Sequence, residues 1–417
     1  MLLRSWVESA NFATTDFPLN NLPCGVFSVG HDAPRCGVAI GDMVLDVTVL
    51  EEEDLLVVAD QPVFDVPFWN DFMELGPDAW ADFRAQVTGF LAEGAAKRFL
   101  LEDYLLPMAE VQMHLPFLVA EFTDFFSGRN HAVNVGALLR DPENALPPNW
   151  LHLPIGYNGR ASSVVVSGTD LRRPLGQLKH AGADVPHLGP SKRFDFELEL
   201  GAVVGQASAG MVSVAEADAM IFGYVLLNDW SARDIQAWES QPLGPFQAKA
   251  TATTISPWIV MAAALQPFRV AGPVREVPLL PYLREPGPML YDIALEAALT
   301  PEGGDETVLA RTNHAEMYYS AAQQLCHHTT SGCPMTVGDL LGSGTISGAG
   351  KDQQGSLLEL SRGGKEPVAI AGGSRCFIED GDTVTLRGAA LGEGYRIGFG
   401  TCSGRVLPAP EVPDWAR

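Results

Sequence analysis

FDFELELGAVVG, residues 194–205, is the stretch on which the reading of this chain turns. On a β-strand successive side chains point to opposite faces. Asp195, Glu197 and Glu199 then line one side, and Phe196, Leu198 and Leu200 the other. Like charges in such a row repel, and on most strands solvent screens them. Here the apolar continuation GAVVG and the later run MIFGYVLLNDW at 220–230 predict a half-buried sheet with its carboxylates aimed into a cleft. Buried carboxylates need a cation to offset their lost hydration. A hard divalent ion held by oxygen ligands supplies one.

Outward from this strand, two more carboxylates stand in apolar settings, Asp124 in EFTDFF and Asp229 at the end of YVLLND. Alone each reads as a turn or cap residue; with Glu197 and Glu199 they make an all-oxygen site that favours calcium or magnesium over zinc. Cys326-His327-His328 followed by Cys333 matches no usual zinc spacing. Downstream of Asp124 lie His131 and Arg140. Downstream of Asp229 lie Arg233, Gln236, Lys249 and Thr253. A lone histidine is most often structural, and cations beside carboxylates are often counter-charges. They are equally suited to stabilise an oxyanion or enolate.

The rest of the chain sets the frame. Its 417 residues are 47% hydrophobic and predict two domains. CGVAIGDMVLDVT at 36–48 reads as a hairpin turning at Gly41-Asp42. Pro77, Trp80, Phe83, Val87 and Leu91 have helical spacing, and Gly94 is a stop. Residues 1–115 therefore read as a small β-domain with a helix or two and no catalytic cluster. Residues 116–417 read as a large, mostly antiparallel β-domain with short helices near 214–220 and 313–326. GSGTISG at 342–348 and GEGYRIGFG at 392–400 lack nucleotide-loop spacing and read as tight turns or close backbone approaches. A net charge of −24 argues against nucleic acid and anionic membranes. No apolar run reaches membrane-spanning length, no signal peptide is evident, and six scattered cysteines fit a reducing cytoplasm.

Several long segments together resemble the fumarylacetoacetase family along essentially the whole chain. They are FTDFFSGRNHAVNVG, LPIGYNGRASSVVVSGTDLRRPLGQ, DFELELGAVVG, NDWSARDIQAWE, GDLLGSGTISG and GYRIGFGTCSGRVLP. The resemblance implies a mainly β fold, with a small SH3-like N-terminal domain before a β-roll catalytic domain, and a homodimer. It implies metal ligands at Asp124, Glu197, Glu199 and Asp229, with Lys249 and Thr253 beside a second magnesium. It implies a base at His131 paired with Glu359, and an oxyanion pocket of Arg233, Gln236 and Lys249. Arg140, Tyr157, Gln236 and Thr345 would contact substrate. Phe126 and Ser240 stand where substrate-contacting tyrosines are usual in animal members. The implied reaction is hydrolysis of a C–C bond in 4-fumarylacetoacetate. A related acylpyruvate is the alternative substrate, and a calcium-binding β-protein without catalysis the alternative of another class.

Overall fold

The computed structural model describes residues 1–139, 142–179 and 182–416. The fold is mainly β, as the alternating sequence predicts. Most pairings are antiparallel, built around one long sheet and one of five strands. The hairpin of Arg35–Ile40 and Met43–Asp46 turns at Gly41-Asp42, where Gly41 takes a φ of +60°. The helix Pro77–Leu91 buries Trp80, Phe83, Val87 and Leu91. The second of the two short helices expected downstream starts later than its sequence suggests: His314–Glu316 forms only a 3-10 turn, and the α-helix is Ala321–His328, capped by Ser320 with Gln323 returning the bond.

The two halves of the chain share the long sheet. Its order runs Leu105–Pro107, Met43–Asp46, Arg35–Ile40, Cys24–Ser28, then Trp258–Met261, Ile221–Asp229, Leu198–Val204, Leu340–Gly342, Phe122–Phe125 and Gly156–Asn158. The join is the antiparallel register Cys24↔Ile259 and Gly25↔Trp258. One hydrophobic cluster crosses it, packing Phe72, Trp80 and Phe83 with Phe222, Val225 and Ile259. Phe72 and Trp80 both meet the Phe222 ring edge-on.

The central strands position the site. Glu199 lies on Leu198–Val204, whose register with Ile221–Asp229 pairs Leu198 with Asn228 and Glu199 with Leu227. On the other flank Leu340–Gly342 runs parallel to Phe122–Phe125, setting Gly342 opposite Asp124. Asp124, Glu199 and Asp229 thus reach one region from three nearby strands. The half-buried sheet expected from the alternation is instead buried on both faces, from Phe194 to Gly205. The strand also breaks, Phe194–Asp195 pairing with Ser231–Ala232 before Leu198–Val204 begins.

A candidate metal centre beside a histidine–glutamate pair

Asp124, Glu197, Glu199 and Asp229 converge: one carboxylate oxygen from each lies within 4.8 Å of the others, and all four residues are buried. Lys249 Nζ bonds Glu197 at 2.7 Å and Asp229 at 2.5 Å. Arg233 Nη1 bonds the other Glu197 oxygen at 2.6 Å, and its Nε bonds Asp195 at 2.9 Å. Five carboxylates therefore face two cations.

The imbalance falls unevenly. Burial, then repulsion from neighbouring carboxylates, pushes the Asp124 and Glu199 carboxyls well above the usual range. Burial also opposes the charge on Glu197, but Lys249 and Arg233 outweigh it and hold that group low. Asp124 Oδ1 and Glu199 Oε1 are buried with no hydrogen-bond partner among the described residues. A Cβ on Gly342 would lie 2.9 Å from Asp124 Oδ1 and 3.0 Å from Glu199 Oε2, so only glycine leaves this cradle open. Orphaned buried oxygens, surplus negative charge and an all-oxygen donor set fit a hard divalent cation. It is the only metal-capable group among the described residues. Cys326, His327, His328 and Cys333 form no such group. His327 Nδ1 pairs with the Tyr282 hydroxyl and His328 Nε2 with the Thr123 hydroxyl.

His131 and Glu359, 228 residues apart, meet with Nδ1 2.7 Å from Oε2. Both are buried. Glu359 also accepts from Asn134 Nδ2 (2.8 Å), Ser347 Oγ (3.0 Å) and Ser356 Oγ (2.8 Å). Burial alone would raise its pKa; His131, Asn134 and Ser356 overcome that and keep it low. Asn134 and Ser356 were missed in the sequence, though each had a signal. Asn134 is three residues from His131 on the helix Arg129–Leu139, hence on the same face. Ser356-Leu-Leu-Glu359 has the spacing of a helix cap.

The other expected residues sort by geometry. Tyr157 donates to Asp229 at 3.3 Å. Thr345 Oγ1 and Arg233 Nη2 are buried without hydrogen-bond partners among the described residues. Gln236 Oε1 lies 3.4 Å from Arg233 Nη1. Thr253 Oγ1 is 3.5 Å from Asp229, and the Lys249 ammonium, which has no lone pair, acts there as a counter-charge. The Phe126 ring stands edge-on to His131 at 5.5 Å. Ser240 spends its hydroxyl on the Gln236 carbonyl at 2.5 Å, at the end of the helix Arg233–Glu239. Arg140 lies outside the described residues.

Residues 122–407 match the family described as Fumarylacetoacetate (FAA) hydrolase C-terminal, and residues 20–116 match Fumarylacetoacetase N-terminal. The chain is 45% identical over 422 residues to the fumarylacetoacetase of Arabidopsis thaliana, covering 98% of this chain and 99% of that one. It is 46% identical over 406 residues to that of Homo sapiens, covering 95% and 97%. Among solved structures it resembles a putative HpcE protein from Mycobacterium smegmatis, with a TM-score of 0.56 at 18% identity over 92% of this chain and 99% of that one. At that identity the likeness concerns the fold alone.

Proposed function

The chain belongs to the fumarylacetoacetase family of hydrolases, and from that premise we propose that it cleaves 4-fumarylacetoacetate to fumarate and acetoacetate, the last step of tyrosine and phenylalanine breakdown. The observation that carries the reading is the buried carboxylate cluster of Asp124, Glu197, Glu199 and Asp229 in one chain with a buried His131–Glu359 pair. A binding protein without catalysis needs the first but has no use for the second.

Asp124, Glu197, Glu199 and Asp229 would hold a divalent cation, Mg²⁺ or Ca²⁺, and when bound it would supply Lewis-acid polarisation of a β-diketone. The protein's own groups do the rest. Glu359 fixes the His131 proton on Nδ1 and leaves Nε2 free to take a proton from water. The hydroxide attacks the carbonyl next to the fumaryl arm. The new oxyanion faces Arg233, Gln236 and Lys249, and the unpartnered Nη2 of Arg233 is a donor in waiting. The C–C bond breaks, fumarate forms, and the carbon leaving group departs as an enolate that takes a proton to give acetoacetate. No covalent intermediate with the protein is needed. Tyr157, Thr345 and Arg140 hold the substrate. The test is turnover followed spectroscopically. Fumarylacetoacetate should be consumed rapidly; indifference to it with fast turnover of another acylpyruvate would reassign the substrate.

Phe126 keeps a ring against the base but brings no hydroxyl. A hydrogen bond to a charged group contributes about 1.5–3 kcal/mol. Phe126→Tyr should therefore lower KM with little change in kcat, and steady-state kinetics reporting an unchanged KM would show that the phenol does not reach substrate. Ser240 has its hydroxyl bonded to its own helix, and a bridging water is its route to substrate.

The family resemblance also supports a homodimer with its boundary between domains near residue 115. Light scattering at micromolar concentration should return twice the mass of one chain, and a monomer would contradict this. No helix among the described residues is long and apolar enough to cross a membrane. All six cysteines are free, which supports a reducing, cytoplasmic setting.

A further inference from the structure

Asp195 is not a member of the four-carboxylate cluster and is fully buried. Its Oδ1 accepts from the backbone N–H of Phe196 at 2.9 Å and of Leu357 at 2.8 Å. Its Oδ2 accepts from the N–H of Leu358 at 2.9 Å and from Arg233 Nε at 2.9 Å. A carboxylate offers about four lone-pair sites, and all are taken. Two of these donors open the short helix Leu357–Leu360, which carries Glu359. A third belongs to the guanidinium that also grips Glu197.

We propose that Asp195 is a positioning residue that fastens the base assembly to the oxyanion-stabilising cation, fixing Glu359 and Arg233 relative to each other. The inference rests on the functional reading above and deepens it. Glu359 can orient His131 only as firmly as its own helix is held. Ser356 and Ser347 hold its carboxylate, but the backbone beneath it is anchored by Asp195. The same oxygen that receives Leu358 receives Arg233, so a shift of one group moves the other. Both groups act on one carbonyl carbon, from the side of the attacking water and from the side of the developing oxyanion. Rate depends steeply on that kind of registration.

Asp195→Asn tests this because it preserves shape and removes acceptors. However the amide turns, its NH₂ faces two N–H donors that now lack an acceptor. The variant should still bind Mg²⁺ in a calorimetric titration, while kcat falls about 10–100-fold, the usual effect of removing an outer orienting partner, and KM changes little. Combined with Glu359→Gln, it should lose less than the product of the two single losses, because both act through one assembly. General destabilisation would instead move KM, metal binding or melting temperature and leave the losses multiplicative. Wild-type kcat in folded Asp195→Asn, or multiplicative losses in the double variant, would overturn the proposal. If that variant does not fold, Leu357→Pro decides. It deletes one N–H donor to Asp195 at the first helical position, where proline fits, after a Ser356 whose backbone is extended. Its kcat should fall and be sub-multiplicative with Glu359→Gln, and an unchanged kcat would overturn the proposal. An inert wild type would overturn the functional reading together with this inference. An active wild type with an indifferent variant overturns this inference alone.

Discussion

His131→Ala is expected to fold, bind its metal and lose about 10²–10⁴ in kcat, the range for removing a positioned general base. The size follows from what surrounds the imidazole. Its Nδ1 is engaged by a carboxylate held by three further donors, so the ring has one orientation and one free nitrogen. Alanine leaves that carboxylate buried and facing a hole. Water entering the hole can solvate Glu359 but cannot present a nitrogen lone pair at the same point. Glu359→Gln should lose less, since the ring stays and water or the amide oxygen can still orient it. Metal titration with single-turnover kinetics separates the two effects. A His131→Ala enzyme with near-wild-type chemistry would remove the histidine from the mechanism.

Exhaustive chelation is expected to abolish turnover and to lower the melting temperature, with Mg²⁺ or Ca²⁺ restoring both. The carboxylates explain why stability and activity fall together. Two of them, Glu197 and Asp229, rely on Lys249 and Arg233, but Asp124 and Glu199 each keep an oxygen that no group among the described residues satisfies. Without a cation these groups hold protons or repel one another. A site saturated a hundredfold above its Kd adds about 2.7 kcal/mol of stability, and removing the ion forfeits it. Calorimetry across a chelator titration reads the shift. Full activity and an unmoved transition in metal-free protein would show that the cluster works without an ion.

How far the sequence disclosed this site depended on how local each relation was. The Glu197–Glu199 pair was legible because alternation is a local property of extended chain, and the turn at Gly41-Asp42 and the helix Pro77–Leu91 were legible because turn chemistry and helical spacing are local too. Asp124 and Asp229 could be suspected, since each is an acid in an apolar setting, but which strands would bring them together depends on sheet order. His131 and Glu359 have no local relation at all; their pairing entered through family resemblance, and distance in the chain hid the contact. Asp195 was read as one more acid on the strand face. The strand break after it is invisible in the alternation, and so are the distant backbone donors, Leu357 and Leu358, that its carboxylate accepts from. The burial of both sheet faces was likewise hidden, because the covering layer comes from the first hundred residues.

That covering layer has a consequence for how the molecule can be divided. A gene fragment beginning after residue 115 would strip Cys24–Ser28 from its register with Trp258–Met261, leaving a bare run of unpaired amides beside the strand that ends at Asp229. It would also open to water the Phe222 ring that Phe72 and Trp80 now cover. Such an edge recruits other chains. The leading segment therefore behaves as a prosthesis grown into the bone, and a family member that lacked it would have to protect that edge by other means.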